Sequence, residues 1–231
     1  VPFDLIAFDA DDTLWHNETL FQATAKEFAR LLADYHAENW IQDRLFATEM
    51  KNLAHFGYGI KGFTLSMIET AIELTEGRIS AAQTQTILGW GHEMLKAPVS
   101  LLDGARETIV DLSSSHRLML LTKGDLFDQE SKLARSGLGD YFGAVEIVSE
   151  KNARTYATVM ARHGIRPERF LMVGNSLRSD ILPVLEVGGA AVHIPYVTTW
   201  AHEQVADDLV SGRSYKRLER ISELPHLLRD P

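Results

Sequence analysis

Phe3-Asp4-Leu5-Ile6-Ala7-Phe8-Asp9-Ala10-Asp11-Asp12-Thr13 is a short apolar run that stops at three acids and a threonine. Its Phe and Ile content and its acidic end make residues 3–8 a buried strand whose carboxyl end is Asp9. From about Leu20 to Lys96 the period becomes helical. Leu20, Phe21, Phe28, Leu31, Leu32 and Tyr35 recur at spacings of three and four, as do Leu65, Ile68 and Ile72, and then Ile87, Trp90 and Met94. Gly57-Tyr58-Gly59-Ile60-Lys61-Gly62 reads as a loop and Glu76-Gly77-Arg78 as a turn before the cap Ser80, so this block predicts four helices.

After Pro98 the texture changes again. The pattern predicts strands over Arg117 to Leu121, Ala144 to Val148, Arg169 to Val173 and Ala190 to Ile194. Helices Leu126 to Ser136, Ala153 to His163 and Ile181 to Val187 lie between them. Such alternation is the mark of a parallel sheet with helices on both faces. The expected fold is α/β: a Rossmann-like, doubly wound parallel sheet core from residues 1–16 and 101–231, with an inserted α-helical cap domain over 17–100.

Composition narrows the function. The chain has 231 residues, 45% of them apolar, enough for a core domain and a smaller insertion. With 32 acidic against 23 basic residues the formal charge is -9, which argues against a nucleic-acid partner, since such binding needs a clustered basic face. There is no cysteine, so disulfides, thiol nucleophiles and cysteine-based zinc sites are excluded. The segment from Val1 has no basic leader and is broken by Asp4, and no other stretch approaches the roughly 18 apolar residues of a membrane span. A soluble, cytoplasmic protein with no membrane partner is expected.

In open parallel sheets ligands bind beyond the carboxyl ends of the strands. The polar residues there are Asp9 and Asp11; Thr122, Lys123 and Gly124; Ser149 and Lys151; and Asn175, Ser176 and Asp180. Carboxylates, a hydroxyl and an ammonium in this setting suit a phosphate and a hard divalent cation. Magnesium takes oxygen ligands and keeps several waters, so Asp9, the Asp11 carbonyl and Asp180 could hold it. A carboxylate nucleophile, Asp9, would split phosphate ester hydrolysis into two easier steps. Asp11 could act as general acid and then base, and Lys151 could neutralise the site. Thr122 and the amides of Lys123 and Gly124 could hold the phosphoryl oxygens.

In these features the chain resembles the haloacid dehalogenase superfamily, in its phosphatase-like branch with a helical cap after the first strand. Asp9, Asp11 and Thr13 match the Asp-x-Asp-x-Thr motif, and Thr122 the strand ending in Thr or Ser. Lys151 matches the following lysine, with Lys132 as its competitor, and Gly174-Asn175-Ser176-Leu177-Arg178-Ser179-Asp180 the acidic loop. The resemblance implies nucleophile, acid/base, phosphate clamp, neutralising charge and metal ligand at those positions. Asn175 stands where an acid is frequent, and could reach a magnesium-bound water through its carbonyl oxygen. Asp12 stands where Gly is frequent; it is read as pointing into solvent or capping the next turn.

The implied activity is magnesium-dependent hydrolysis of a small phosphorylated metabolite through an aspartyl phosphate. The alternatives are a phosphosugar mutase and a metal-independent 2-haloacid dehalogenase, against which Asp11 speaks. A receiver-type phospho-acceptor is disfavoured by the helical insertion. In the cap, Tyr58 and Lys61 are the candidates for substrate selection, Lys61 toward a second anionic group. His202 beside Trp200 is the one histidine singled out, without metal-ligand spacing.

Overall fold

The computed structural model describes residues 3–210 and 212–229; Val1, Pro2, Ser211 and the last two residues of the predicted core range lie outside these. The strands are β1 (Leu5–Phe8), β2 (Leu118–Lys123), β3 (Ala144–Val148), β4 (Phe170–Gly174), β5 (Ala190–His193) and β6 (Lys216–Arg217). They form one sheet in the order β3-β2-β1-β4-β5-β6, every pairing parallel. The helices are α1 (Glu18–Leu31), α2 (Glu38–Phe56), α3 (Ile60–Leu74), α4 (Ala81–Lys96), α5 (Ala105–Ser113), α6 (Leu126–Ser136), α7 (Ala153–Arg162), α8 (Leu182–Glu186), α9 (Asp207–Val210) and α10 (Leu224–Arg229). This is the doubly wound α/β fold that the alternating pattern predicts.

Alternation along the central strands sorts their side chains into two cores, because successive residues of a strand face opposite ways. Ile6, Phe8, Leu118, Leu120, Leu171 and Val173 pack on one face with Ile109 and Leu112 of α5. Leu5, Ala7, Met119, Leu121, Phe170 and Met172 pack on the other with Tyr156, Val159 and Met160 of α7. β1 is therefore wholly buried, which its uninterrupted apolar sequence anticipates.

By backbone contacts the chain divides into two compact units. The first comprises residues 1–18, 99–123 and 129–231 and contains the sheet; the second comprises 19–98 together with 124–128. The second has its own core, in which Phe28, Ile41, Leu45, Ile60, Met67 and Ile87 are fully or almost fully buried. Ser80 opens α4 with a capping box, its side chain accepting from the Gln83 amide while the Gln83 side chain accepts from the Ser80 amide.

Four local readings change. The loop predicted over 57–62 ends sooner, because α3 starts at Ile60 and takes in Lys61 and Gly62. A Cβ on Gly62 would lie 2.9 Å from the Gly57 carbonyl oxygen, so this glycine serves helix packing. Thr122 and Lys123 are the last residues of β2, not residues beyond it. α5 has no counterpart in the periodicity reading, since two of its four buried positions, Ala105 and Thr108, are too small or polar to register as apolar. β6 is two residues long with both side chains exposed, and leaves no pattern.

Candidate active site

Asp9 follows the last residue of β1, and its amide donates to the Val173 carbonyl of neighbouring β4 at 2.9 Å, so the sheet fixes its backbone. Its side chain meets two groups from distant sequence. The Lys151 ammonium lies 2.5 Å from Asp9 Oδ1 and 2.7 Å from Asp180 Oδ1, and the Thr13 hydroxyl donates to Asp9 Oδ2 at 3.2 Å. Asp9, Lys151 and Asp180 are all buried. Burial raises the Asp9 carboxyl, Lys151 pulls it down and the Asp180 charge pushes it up again; the balance lies above the ordinary carboxylate range. Burial works against the Lys151 charge too, but Asp180 and Asp9 more than offset it and the ammonium is retained.

Asp180 lies on a π-helical turn, Leu177–Ile181, between β4 and α8. Its second oxygen accepts from the Ser176 amide at 3.0 Å. The sharp return of this turn places the carboxylate against Gly174, where any Cβ would collide with it. Gly174 is thus required by a close approach, not by its dihedral angles. Asn175 directs its side-chain oxygen toward the Thr13 hydroxyl at 3.2 Å, and its carbonyl accepts from His193 Nε2 at 3.0 Å.

Asp11 is held differently. Lys132 Nζ is 3.0 Å from each of its carboxylate oxygens, Gln129 Nε2 donates to Oδ2 at 2.8 Å and Trp15 Nε1 to Oδ1 at 2.7 Å. The two lysines that compete in the sequence are therefore separated by geometry: Lys151 joins Asp9 to Asp180, and Lys132 attends Asp11. Asp12 does not point into solvent. At φ 62° its buried side chain accepts from the amides of Asn17 and Glu18 at 2.9 and 3.0 Å, capping the entry to α1. Burial pushes its carboxyl up to about 7 in spite of those two donors.

The Thr122 hydroxyl is buried and 3.5 Å from Gln129 Oε1. The Lys123 side chain turns to the Ser179 hydroxyl, 2.9 Å away, and to the Glu203 carboxylate. Gly124 groups with the second unit, as do Tyr58 and Lys61. Within that unit the Lys61 ammonium pairs with Asp125 at 2.9 and 3.0 Å and lies over the Phe127 ring. His202 packs its ring against Trp200, and burial lowers its pKa.

Sequence reasoning misses Gln129, Trp15 and Glu203. Gln129 and Lys132, three apart on α6, share a helix face, a spacing that was available to find them. Glu203 lies in an irregular stretch with no periodic signal.

Among the described residues no three His, Asp or Glu side chains form a metal-binding group of their own. Asp9 and Asp180 nevertheless converge on one cation, the Lys151 ammonium. Both supply hard oxygen donors, and a hydrated magnesium ion needs no more than two carboxylates and a carbonyl from protein, so this donor set fits it.

The chain belongs to the haloacid dehalogenase-like hydrolase family, whose model matches residues 3–188. It is 32% identical over 143 residues to a glyceraldehyde 3-phosphate phosphatase of Methanothermobacter thermautotrophicus, a match spanning 59% of this chain and 62% of that protein. It is 26% identical to the N-acylneuraminate-9-phosphatase of Mus musculus, over 96% of this chain and 92% of that one. In structure it resembles a haloacid dehalogenase-like family hydrolase from Xanthomonas campestris, with TM-score 0.87 and 41% identity over 98% of this chain and 91% of the other.

Proposed function

We propose that this chain is a magnesium-dependent phosphate monoester hydrolase that acts on a small phosphorylated metabolite through an aspartyl phosphate. The observation that carries the reading is the separation of two carboxylates two residues apart: Asp9 on Lys151 and Asp180, Asp11 on its own donors Lys132, Gln129 and Trp15. A hydrolase using one carboxylate as nucleophile and another as acid and base needs them in different surroundings. The phosphatases among its relatives support the same reaction class.

Asp9 attacks the phosphorus, and the bond from phosphorus to the ester oxygen breaks. Asp11 gives its proton to the leaving oxygen. A water then attacks the aspartyl phosphate, Asp11 takes a proton from it, and inorganic phosphate leaves with Asp9 restored. Lys151 offsets the charge that an anionic substrate brings to two buried acids, and the Thr122 hydroxyl and Lys123 amide hold phosphoryl oxygens. Asp9, the Asp11 carbonyl and Asp180 would hold the magnesium ion, with Asn175 reaching one of its waters. When bound, the ion supplies positive charge beside the transferred group. An acid at position 11 has no task in displacing a halide, which favours phosphate over a haloacid.

The test is hydrolysis of a generic phosphate ester by the purified protein. Excess chelator, or Asp9→Asn, is expected to lower turnover by at least about a thousandfold. Turnover that persists under either condition sinks the mechanism.

A further inference from the structure

Glu203 carries a largely but not fully buried carboxylate that the reaction above does not use. Its side chain is about one-tenth exposed and ties together two strand ends of the sheet. One oxygen faces the Lys123 ammonium; the other accepts from the hydroxyls of Ser176 and Ser179, the latter at 2.7 Å. Burial alone would raise its pKa, but Lys123 and the two serine donors hold it down to about 2.

The partners are informative because of their neighbours. Lys123 follows Thr122 in β2, and Ser179 directly precedes Asp180. Ser179 is gripped on both sides: Tyr156 donates to its carbonyl at 2.9 Å, and its hydroxyl stands between Lys123 and Glu203. Ser176 accepts from the Ser179 amide at 3.0 Å and gives its own amide to Asp180 Oδ2 at 3.0 Å. A carboxylate holding Ser176 and Ser179 at once therefore sets the width of the π-helical turn that aims Asp180.

We propose that Glu203 is a positioning residue for the cation site, fixing Asp180 through Ser176 and Ser179 and, through Lys123, fixing that turn to the end of β2. The inference rests on the phosphatase reading, in which Asp180 is a magnesium ligand. Its charge serves no ligand role, being matched by Lys123. Groups that orient metal ligands through hydrogen bonds typically contribute about 10- to 100-fold in metal affinity.

The test is calorimetric titration of magnesium, without substrate, into the whole protein and three variants: Glu203→Gln, Ser179→Ala and Glu146→Gln. Glu146, in β3, pairs with Arg162 and His163 at the end of α7, and its variant removes an equal charge elsewhere in the sheet unit. Glu203→Gln and Ser179→Ala are expected to bind magnesium at least about tenfold more weakly. The magnesium-induced rise in Tm should shrink in step, and turnover should recover at high magnesium with the KM for ester unchanged. Glu146→Gln should bind as the unsubstituted protein does. Unchanged affinity in Glu203→Gln and Ser179→Ala, or an equal loss in Glu146→Gln, overturns the proposal; should Glu203→Gln not fold, Ser179→Ala decides. An unsubstituted protein that takes up no magnesium overturns the phosphatase reading and this inference with it.

Discussion

Asp12 shows how much one side chain settles. It occupies the left-handed region, where a side chain is strained by about 1–2 kcal/mol, yet it satisfies two amides where the chain enters α1. Asp12→Ala loses the cap and keeps the strain, while Asp12→Gly loses the cap and relieves it. Denaturant unfolding should find the alanine variant less stable than the parent by about 2 kcal/mol and the glycine variant less stable by under about 1 kcal/mol. Equal losses would mean that the dihedral angle is immaterial. The sequence leaves Asp12 ambiguous between solvent and cap, because nothing in a run of acids says which one turns inward. Asp9, Lys151 and Asp180 are legible as candidates because each follows a strand, and strand ends converge. Lys132 is visible as a lysine of α6, but its engagement with Asp11 depends on a helix orientation that spacing alone does not fix.

Among the elements, the π-helical turn after β4 was invisible to periodicity, since five residues follow neither the strand nor the α-helical repeat. Two consequences can be measured. Gly174→Ala puts a methyl group where the Asp180 carboxylate lies, so the carboxylate must move. Turnover should fall at least about tenfold while unfolding free energy falls by about 1–3 kcal/mol. Kinetics at saturating magnesium, set beside unfolding curves, separate the two effects.

The second concerns Glu203, whose carboxyl lies at about 2 in the folded chain against an ordinary value of 4.5. The folded state therefore holds that proton less tightly than the unfolded one. Its contribution, about 3 kcal/mol, is complete above pH 4.5 and is lost as pH falls toward 2. Unfolding free energies measured across that acid range should decline less steeply in Glu203→Gln than in the parent. Parallel curves would show that the carboxylate gains nothing from Lys123 and the serines.

Across the molecule the hydrophobic pattern was the most readable layer. Short apolar runs marked the strands and a helical period marked the block that folds as α1 to α4, although Leu65 and Ile72, read as part of that period, are exposed and α3 buries Phe63, Met67 and Leu74 instead. What it could not supply was α5, masked by Ala105 and Thr108, or the short β6. The helical unit's core is made of its own residues, with Phe28 fully buried in it. Phe28→Ala should cost about 3–5 kcal/mol in that unit. Amide hydrogen exchange should then show protection lost across residues 20–96 and kept in β1, β2 and β4; loss spread evenly through the chain would make the two units one cooperative whole. No helix of the described residues is long and apolar enough to cross a membrane.

The pairing of β1 also bears on synthesis at the ribosome. Ile6 aligns with Leu118, and Leu5 with Phe170, so the strand leading to Asp9 gains its first neighbour only after more than a hundred further residues have been made. At ordinary elongation rates this leaves both its edges bare for on the order of ten seconds. The nascent segment is thus open to mispairing. A chain halted before β4 holds Asp9 but lacks the neighbouring strand that fixes its backbone.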